Sequence, residues 1–352
     1  MAKTVDIFAV LARLSAQETL SAAESESVFE ALLSGSLEPT QIAALLALLQ
    51  SRPITPEELQ GAATVMRARV DPVKYAPPPG TSVVDTCGTG GAPKTFNVST
   101  AAALVIAGSE PDAGRAVERV VVAKHGNRSR TGRGSAEVLA RLGVNIDAPP
   151  ETQARCLDEA GVCFCFAIHH HPAMKYAAPV RRSLGFPTIF NLLGPLTNPC
   201  GATRQLIGVY RPEFVGLVSE TLKRLGAEHA IVAHSDDGLD ELTVTAPTTL
   251  GVVRSGVVAT QRVEPQDFGL TPCTIEDVRA RDEEHAAGMV RSVLAGEQSA
   301  ASDMVVLTSA AGLLVADACD TLEHGIAVAR ASIASGKAAH ALERLAAVSQ
   351  AG

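Results

Sequence analysis

Two textures of hydrophobic patterning divide the chain. Over the first seventy residues apolar positions recur at helical spacing: Ile42, Leu45, Leu46 and Leu49, then Leu59, Ala62, Ala63 and Met66. Residues three and four apart share one face of a helix, so these stripes predict amphipathic helices packed on one another. Start signals agree. Ser21 with Glu24, and Thr55 with Glu58, have capping-box spacing, and Pro56 occupies the first helical position of the second. The segment Asp71–Gly80 carries four prolines and reads as a linker.

Beyond it, short β-branched or apolar runs (Val83–Val84, Val120–Val122, Cys163–Ile168, Leu206–Tyr210, Ala230–Ala233) alternate with helical stretches. Runs apolar on both faces, separated by helices, predict a sheet covered on both sides. From Ile275 to about residue 345 the pattern is Ala-rich and helical again. The expected fold class is α/β: a small N-terminal helical domain plus a larger α/β domain with a central, mainly parallel sheet flanked by helices. The helical domain is expected over residues 1–75, completed by helices near 172–186, and the α/β domain over 80–352.

Composition narrows the classes. A net charge of −8 argues against a general nucleic-acid binder. No apolar run approaches a membrane span, and the first residues lack a signal-peptide layout. The seven cysteines form no CxxC pair, so neither a disulfide framework nor a zinc site is favoured and a reduced, cytoplasmic setting is expected. Cys163 and Cys165 alternate along one strand and so share a face.

Candidate chemistry begins at residues 85–91, DTCGTGG. A buried strand over 82–87 runs into Gly88-Thr89-Gly90-Gly91, where glycines allow positive φ and close backbone approach. Their N–H groups can form an anion-binding concavity. Asn97, Ser99 and Thr100 follow as small polar donors, just before the run Ala101–Ala107 that should begin a helix, whose N-terminus adds partial positive charge. Phosphate is the ligand this order of features suggests.

Arg115, Arg119, Lys124, Arg128, Arg130 and Arg133 stand against a single acid, Glu118, and predict a local positive patch. Lys124, directly after the strand Val120–Ala123, lies where open α/β sheets gather ligands and suits a phosphate as a point charge. Asp240 and Glu241, in SDDGLDEL at 235–242, are oxygen donors suited to Mg2+, with Asp236 and Asp237 as competitors. Arg181 and Arg182, after an expected helix Met174–Val180, could each bind a substrate carboxylate bidentately. His169–His171 are expected to form a loop lining the site, while His125, beside Lys124 and Asn127, suits a structural role or a ligand contact equally. FNLLGPLTNP at 190–199 reads as a rigid wall.

Together GTGG, TFNVST, KHGNRS, HPAMKYAAPVR, TIFNLLGPLTNP, LIGVY and DGLDEL, in that order along nearly the whole chain, resemble the anthranilate phosphoribosyltransferase family. The resemblance implies a homodimer, formed through the helical domain, of the nucleoside phosphorylase-like phosphoribosyltransferase class. It implies that phosphoribosyl pyrophosphate (PRPP) is held by Gly88, Gly90, Gly91, Thr95, Asn97, Ser99, Thr100 and Lys124. It places anthranilate against Gly88, His125, Asn127 and Arg181, and Mg2+ on Ser99, Asp240 and Glu241. Lys124, Arg181 and His125 would be the catalytic groups.

The chain departs from that pattern in three places. Ala92-Pro93-Lys94 replaces the small polar pair after the glycines. Residues 108–119 form an expected surface insertion, with Glu110–Glu118 as its loop. Arg130-Thr131-Gly132-Arg133 replaces a serine-rich stretch, with Thr131 standing in for a phosphate-contacting serine. The alternatives are another aromatic acceptor, a pyrimidine nucleoside phosphorylase on the same fold, or a non-catalytic nucleic-acid-binding relative. Small-molecule substrates, with no nucleic acid and no membrane, are the expected partners.

Overall fold

The structure is a computed structural model that describes residues 5–93, 95–129 and 132–351. Four helices open the chain: α1 (Ile7–Ser15), α2 (Ala22–Leu33), α3 (Pro39–Gln50) and α4 (Pro56–Ala68). Both expected capping boxes form, Ser21 with Glu24 and Thr55 with Glu58. The second does more than cap. Glu58 is fully buried, accepts from Thr55 N at 3.0 Å and Leu20 N at 2.9 Å, and pairs with Arg52. The α4 cap thereby also fastens the residue that precedes α2. Removing Arg52 alone would strand a buried carboxylate, at a cost of about 3–5 kcal/mol.

The α/β part then runs β1 (Thr81–Gly88), α5 (Val98–Ala107), β2 (Arg119–Gly126), α6 (Ser135–Arg141), α7 (Pro150–Ala160), β3 (Val162–Phe166) and α8 (Ala167–His170). There follow α9 (Ala178–Leu184), α10 (Phe190–Leu193), β4 (Arg204–Gly208), α11 (Glu213–Arg224), β5 (His229–Ser235), β6 (Thr248–Arg254) and β7 (Val257–Val263). The tail is helical: α12 (Glu283–Leu294), α13 (Ala300–Val315), α14 (Leu322–Ala334) and α15 (Lys337–Gln350).

The strands form one sheet of order β3-β2-β1-β4-β5-β6-β7. Pairings from β3 through β5 are parallel, and β6 and β7 add antiparallel. Alternate residues feed separate cores. Leu206, Ile231 and Ala233 join one with α5 and α12–α15, whereas Ile207, Ala230 and Val232 join another with α1–α4 and α11. A strand buried on both faces shows no polar alternation, which is why these runs read as continuously apolar.

Several boundaries differ from expectation. The helix α5 begins at Val98, three residues before the alanine run, so Ser99 and Thr100 sit inside its first turn. The expected strand Cys163–Ile168 stops at Phe166; His169 and His170 follow in the short helix α8 rather than in a loop, and His171 lies just after it. The expected helix Met174–Val180 is a 3-10 turn, Pro172–Lys175, followed by α9, which contains Arg181 and Arg182. The hairpin β6–β7 was not expected, because β7 faces solvent along most of its length and shows no apolar run.

The surface segment at 108–119 is tied to the C-terminal helices. Asp112 pairs with His324 at 3.0 Å, Arg115 with Asp320 at 2.6 Å, and Glu110 with Lys337.

Candidate active site

Sheet growth reverses at β1: β2 and β3 lie on one side, β4 and β5 on the other. Connections leave in opposite directions at such a switch point, and a crevice opens beyond the carboxyl ends of the strands. Gly88 and Gly208, the last residues of β1 and β4, are register partners there.

Side chains at these two positions would close the crevice. A Cβ on Gly208 would lie 1.7 Å from the Asp240 carbonyl oxygen, and one on Gly88 3.0 Å from Asp240 Oδ2. Their absence lets the turn after β5 fold across the strand ends and carry Asp240 over the switch point. Gly90 and Gly91 take φ of +63° and +103°, conformations that an L side chain would strain. Thr89 fastens this loop, donating from N to Gly208 O at 2.9 Å and accepting from Tyr210 N on Oγ1 at 3.2 Å.

A small, partly open cavity lies at this crossing, lined by Thr86, Cys87, Ser99, Leu206, Gly208, Ala233, Asp240, Glu241, Leu242 and Thr308. The competing carboxylates are engaged elsewhere: Asp236 with Arg262 at 2.5 Å, and Asp237 with Thr245. The carboxylates in the cavity lining are Asp240 and Glu241, and the Ser99 hydroxyl lies in the same lining. Two carboxylates and a hydroxyl are hard oxygen donors, and they fit Mg2+, which completes its shell with water and substrate oxygens.

Lys124 stands directly behind this lining. Its Nζ donates to Thr86 O at 2.6 Å and Ser99 Oγ at 3.1 Å, and the side chain is buried. Burial pushes its pKa down, opposed by Asp85, Cys87 and Glu241. Asp85, also fully buried, accepts from His125 N at 3.0 Å. Burial raises its pKa to about 6, against the pull of His125 N–H, Asn198 and Lys124.

The neighbouring polar residues hold different stations. Asn97 is the N-cap of α5, but its amide donates to Arg133 O at 3.4 Å instead of capping. Thr95 Oγ1 donates to Phe96 O at 3.0 Å. Thr100 is buried in the first turn, with no hydrogen-bond partner on its hydroxyl among the described residues. Thr131, together with Lys94 and Arg130, lies outside the described residues.

A second group of residues assembles from distant segments. His125 Nδ1 donates to Gly194 O at 3.1 Å, which leaves Nε2 to accept from His171 Nε2–H at 3.2 Å. Burial, then the adjacent His171, lowers the His125 pKa to about 3; burial and His170 lower that of His171 to about 4. Both imidazoles are neutral at ordinary pH, and both His125 nitrogens are engaged. Arg181 lies half-buried with its guanidinium 5.2 Å from the Phe190 ring centre, and no carboxylate partner is found for it among the described residues. The 190–196 wall thus backs Arg181 through Phe190 and His125 through Gly194. Asn127 is exposed, its Oδ1 accepting from Arg128 N at 2.8 Å.

The expected positive patch does not form as a unit. Arg115 pairs with Asp320, Arg119 with the carbonyls of Leu157 and Asp158, and Arg133 with Ala280 O. Arg128 stacks over Phe166 and Lys124 is internal. Among the described residues these charges go to separate local contacts, and Arg130 lies outside the described residues.

Known proteins share this arrangement. The family model described as "Glycosyl transferase family, a/b domain" matches residues 80–339, and "Glycosyl transferase family, helical bundle domain" matches 9–70. An anthranilate phosphoribosyltransferase of Rubrobacter xylanophilus is 46% identical over 97% of this chain and 96% of its own length. That of Symbiobacterium thermophilum is 44% identical over 96% of each. The chain belongs to the anthranilate phosphoribosyltransferase family. The crystal structure of the Thermus thermophilus member, 37% identical, superposes with a TM-score of 0.88 over 98% of this chain and 100% of that one. A Saccharomyces cerevisiae member in complex with PRPP and Mg shares the fold at 24% identity, with a TM-score of 0.84 over 98% of both chains.

Of three further positions at the site, two carry signals that sequence reasoning left unused and one carries none. Gly208 interrupts the apolar strand LIGVY, and a glycine inside a strand marks close backbone approach. Asp85 is an acid within a buried strand, where a charge needs nearby partners. His171 had no distinguishing local signal, since its partner His125 is 46 positions away.

Proposed function

We propose that the chain carries out the reaction of its family at this switch-point cavity. The phosphoribosyl group of PRPP passes to the amine of anthranilate, giving N-(5-phosphoribosyl)anthranilate and pyrophosphate, a step of tryptophan biosynthesis. The single observation that carries the reading is the crossing of Asp240 over Gly88 and Gly208. It sets the start of an anion-binding loop against a carboxylate pair that lines the adjoining cavity.

In this assignment the Gly88–Gly91 loop and the first turn of α5 receive the pyrophosphate on backbone N–H groups. The unpaired Thr100 hydroxyl lies in that turn, and Asn97 and Thr95 flank it. Asp240, Glu241 and Ser99 would hold Mg2+, which when bound supplies positive charge against the leaving pyrophosphate. Lys124 adds a buried positive charge behind the same lining. Preorganised charge of this kind lowers a barrier because nothing reorients as the leaving group departs.

Anthranilate approaches from the other side. Arg181, backed by Phe190, takes its carboxylate, with Asn127 at the rim and the neutral His125 as pocket surface. The amine nitrogen forms a bond to the anomeric carbon as the bond to pyrophosphate oxygen breaks, and the surplus amine proton leaves to solvent or pyrophosphate. An arylamine is already uncharged at neutral pH, so no strong base is required; positioning supplies the rate gain. His125, with both nitrogens occupied, acts here by shape and polarity.

Closure between the helical and α/β parts near 71–80, a homodimer through the helical part, and a cytoplasmic setting belong to the same proposal. The strongly exposed Phe8 on α1 and the seven free cysteines support the last two. Among the described residues no helix is long and apolar enough to cross a membrane.

The test follows anthranilate fluorescence with PRPP and Mg2+, with and without EDTA. Magnesium-dependent loss of signal with pyrophosphate release is expected. Folded protein that binds PRPP but leaves anthranilate unchanged would move the acceptor to another aromatic amine.

A further inference from the structure

The mechanism makes no use of a thiol cluster at the sheet edge. Cys163 and Cys165 alternate along β3 and point to the same face, with Sγ atoms 3.6 Å apart. Cys200, in the turn before β4, brings its Sγ to 3.9 Å from that of Cys165, and all three sulfurs lie within 4.8 Å of one another. A tetrahedral thiolate site with metal–sulfur bonds of about 2.3 Å has sulfur–sulfur edges of about 3.8 Å. The two measured separations bracket that edge.

The cluster is held by rigid elements. Cys163 and Cys165 belong to a buried strand paired with β2. Cys200 is positioned by Asn198, whose Oδ1 accepts from Cys200 N at 2.9 Å while its amide donates to Ala123 O at 2.8 Å. Half-buried, Cys200 provides a path to solvent.

A buried imidazole four residues past the end of β3 gives an independent sign. His170 is fully buried, and its Nδ1–H donates to Asp71 O at 2.7 Å, which leaves the lone pair on Nε2 without a partner among the described residues. A metal-ligating histidine carries this same signature, one nitrogen donating to a backbone carbonyl and the other presenting its lone pair. Left unsatisfied, such a buried nitrogen carries a desolvation penalty that a bound cation would remove.

We infer that Cys163, Cys165 and Cys200 form a binding site for a soft, thiophilic cation such as Zn2+, with His170 Nε2 as the candidate further donor. Soft thiolates select such ions, whereas the Asp240–Glu241 pair offers only hard oxygens, so the two sites take different metals. Each coordinating thiol releases its proton to solvent on binding, with no change in oxidation state. The ion would join β3, the turn before β4 and the linker, since Asp71 N also donates to His170 O at 2.8 Å and Val73 N to Pro199 O at 3.1 Å.

The test titrates the reduced full chain with Cd2+ in excess Mg2+, which occupies the carboxylate site, and follows thiolate-to-cadmium charge-transfer absorbance. One equivalent per chain is expected, displaceable by Zn2+. Cys200→Ser should weaken binding by more than about tenfold, the lower end for loss of even an outer-shell partner. Cys273→Ser, remote from the cluster, should leave it unchanged. Thiol titration of folded wild-type protein, in which Zn2+ should protect the cluster, keeps the test independent of how the variants fold. No charge-transfer band, an equal band in Cys200→Ser, or a Cys165–Cys200 disulfide with no metal uptake by the reduced chain would overturn the proposal. None of these outcomes depends on anthranilate turnover.

Discussion

The glycine-loop side of the cavity is built largely from chain segments close in sequence, whereas the Arg181 side is gathered from four separate ones. Residues 85–100 supply the loop, the α5 N-terminus and Ser99 within a single strand–loop–helix unit. The opposite side needs His125 from β2, His171 after α8, Arg181 from α9 and Phe190 with Gly194 from the wall. The first side works mainly through backbone N–H groups and tolerates little change where the chain crosses itself. The second works through side chains whose positions depend on packing. In the proposed assignment, an anion is met by local geometry and a flat aromatic acid by tertiary assembly.

The sharpest way to break this comparison is to remove the carboxylate pair. Asp240→Asn with Glu241→Gln should lower magnesium-dependent kcat by at least about a hundredfold, the scale of losing preorganised electrostatic groups. Steady-state rates across a Mg2+ series check it, and an unchanged rate would place the metal elsewhere.

Arg181→Ala sharpens the contrast between the two sides. Losing a charge-assisted hydrogen bond worth about 1.5–3 kcal/mol should raise KM for anthranilate about 10- to 100-fold with KM for PRPP near wild type. An equal rise in both constants would remove Arg181 from acceptor binding.

Two glycine variants separate close approach from backbone conformation. Gly208→Ala must displace the Asp240 backbone, and should lose about 1–3 kcal/mol of stability together with activity. Gly90→Ala has open space around it and only the strain of positive φ, about 1–2 kcal/mol. Denaturant melts beside kinetic assays distinguish them: activity should fall much further in Gly208→Ala than its melt alone explains.

The histidine pair predicts a pH dependence. His125 and His171 are held near 3 and 4, below the ordinary 6.5, so the unfolded chain takes up protons that the folded one refuses. Their contribution to stability is complete above pH 6.5 and is lost as pH falls from there toward 4 and below. Asp85, raised to about 6 from 3.8, has the opposite slope, its contribution fading as pH rises through that interval. His171→Asn should therefore flatten the acid-side decline in melting temperature relative to wild type, and an unaltered profile would mean that the pair does not titrate in this way.

The smallest effect expected is remote from both sides. Thr55→Ala should cost about 1 kcal/mol through the lost α4 cap, with both KM values unchanged.

Local signals carried much of the fold: the capping boxes, the apolar strands and the glycine loop each depend on neighbours within a few residues. They erred where the decisive partner was remote. The α5 N-terminus moved back to Val98 because Thr95–Asn97 are held from outside the segment, with Phe96 N donating to Val278 O at 2.9 Å. The basic run between Arg115 and Arg133 looked like one patch in one dimension. Folding sends those side chains toward Asp320, Leu157, Phe166 and Ala280 instead.

By itself, the sequence determined the layering, the phosphate-type loop and the family, because periodicity, glycine placement and motif order are properties of contiguous residues. Only the tertiary structure decided which acids line the cavity, that Lys124 stands behind it, and that His125 is engaged on both nitrogens. It also brought three cysteines together at one sheet edge and left the Nε2 of the nearby buried His170 without a partner among the described residues. These depend on where the chain crosses itself, and Asp240 lying over Gly88 and Gly208 is a contact between segments more than thirty residues apart.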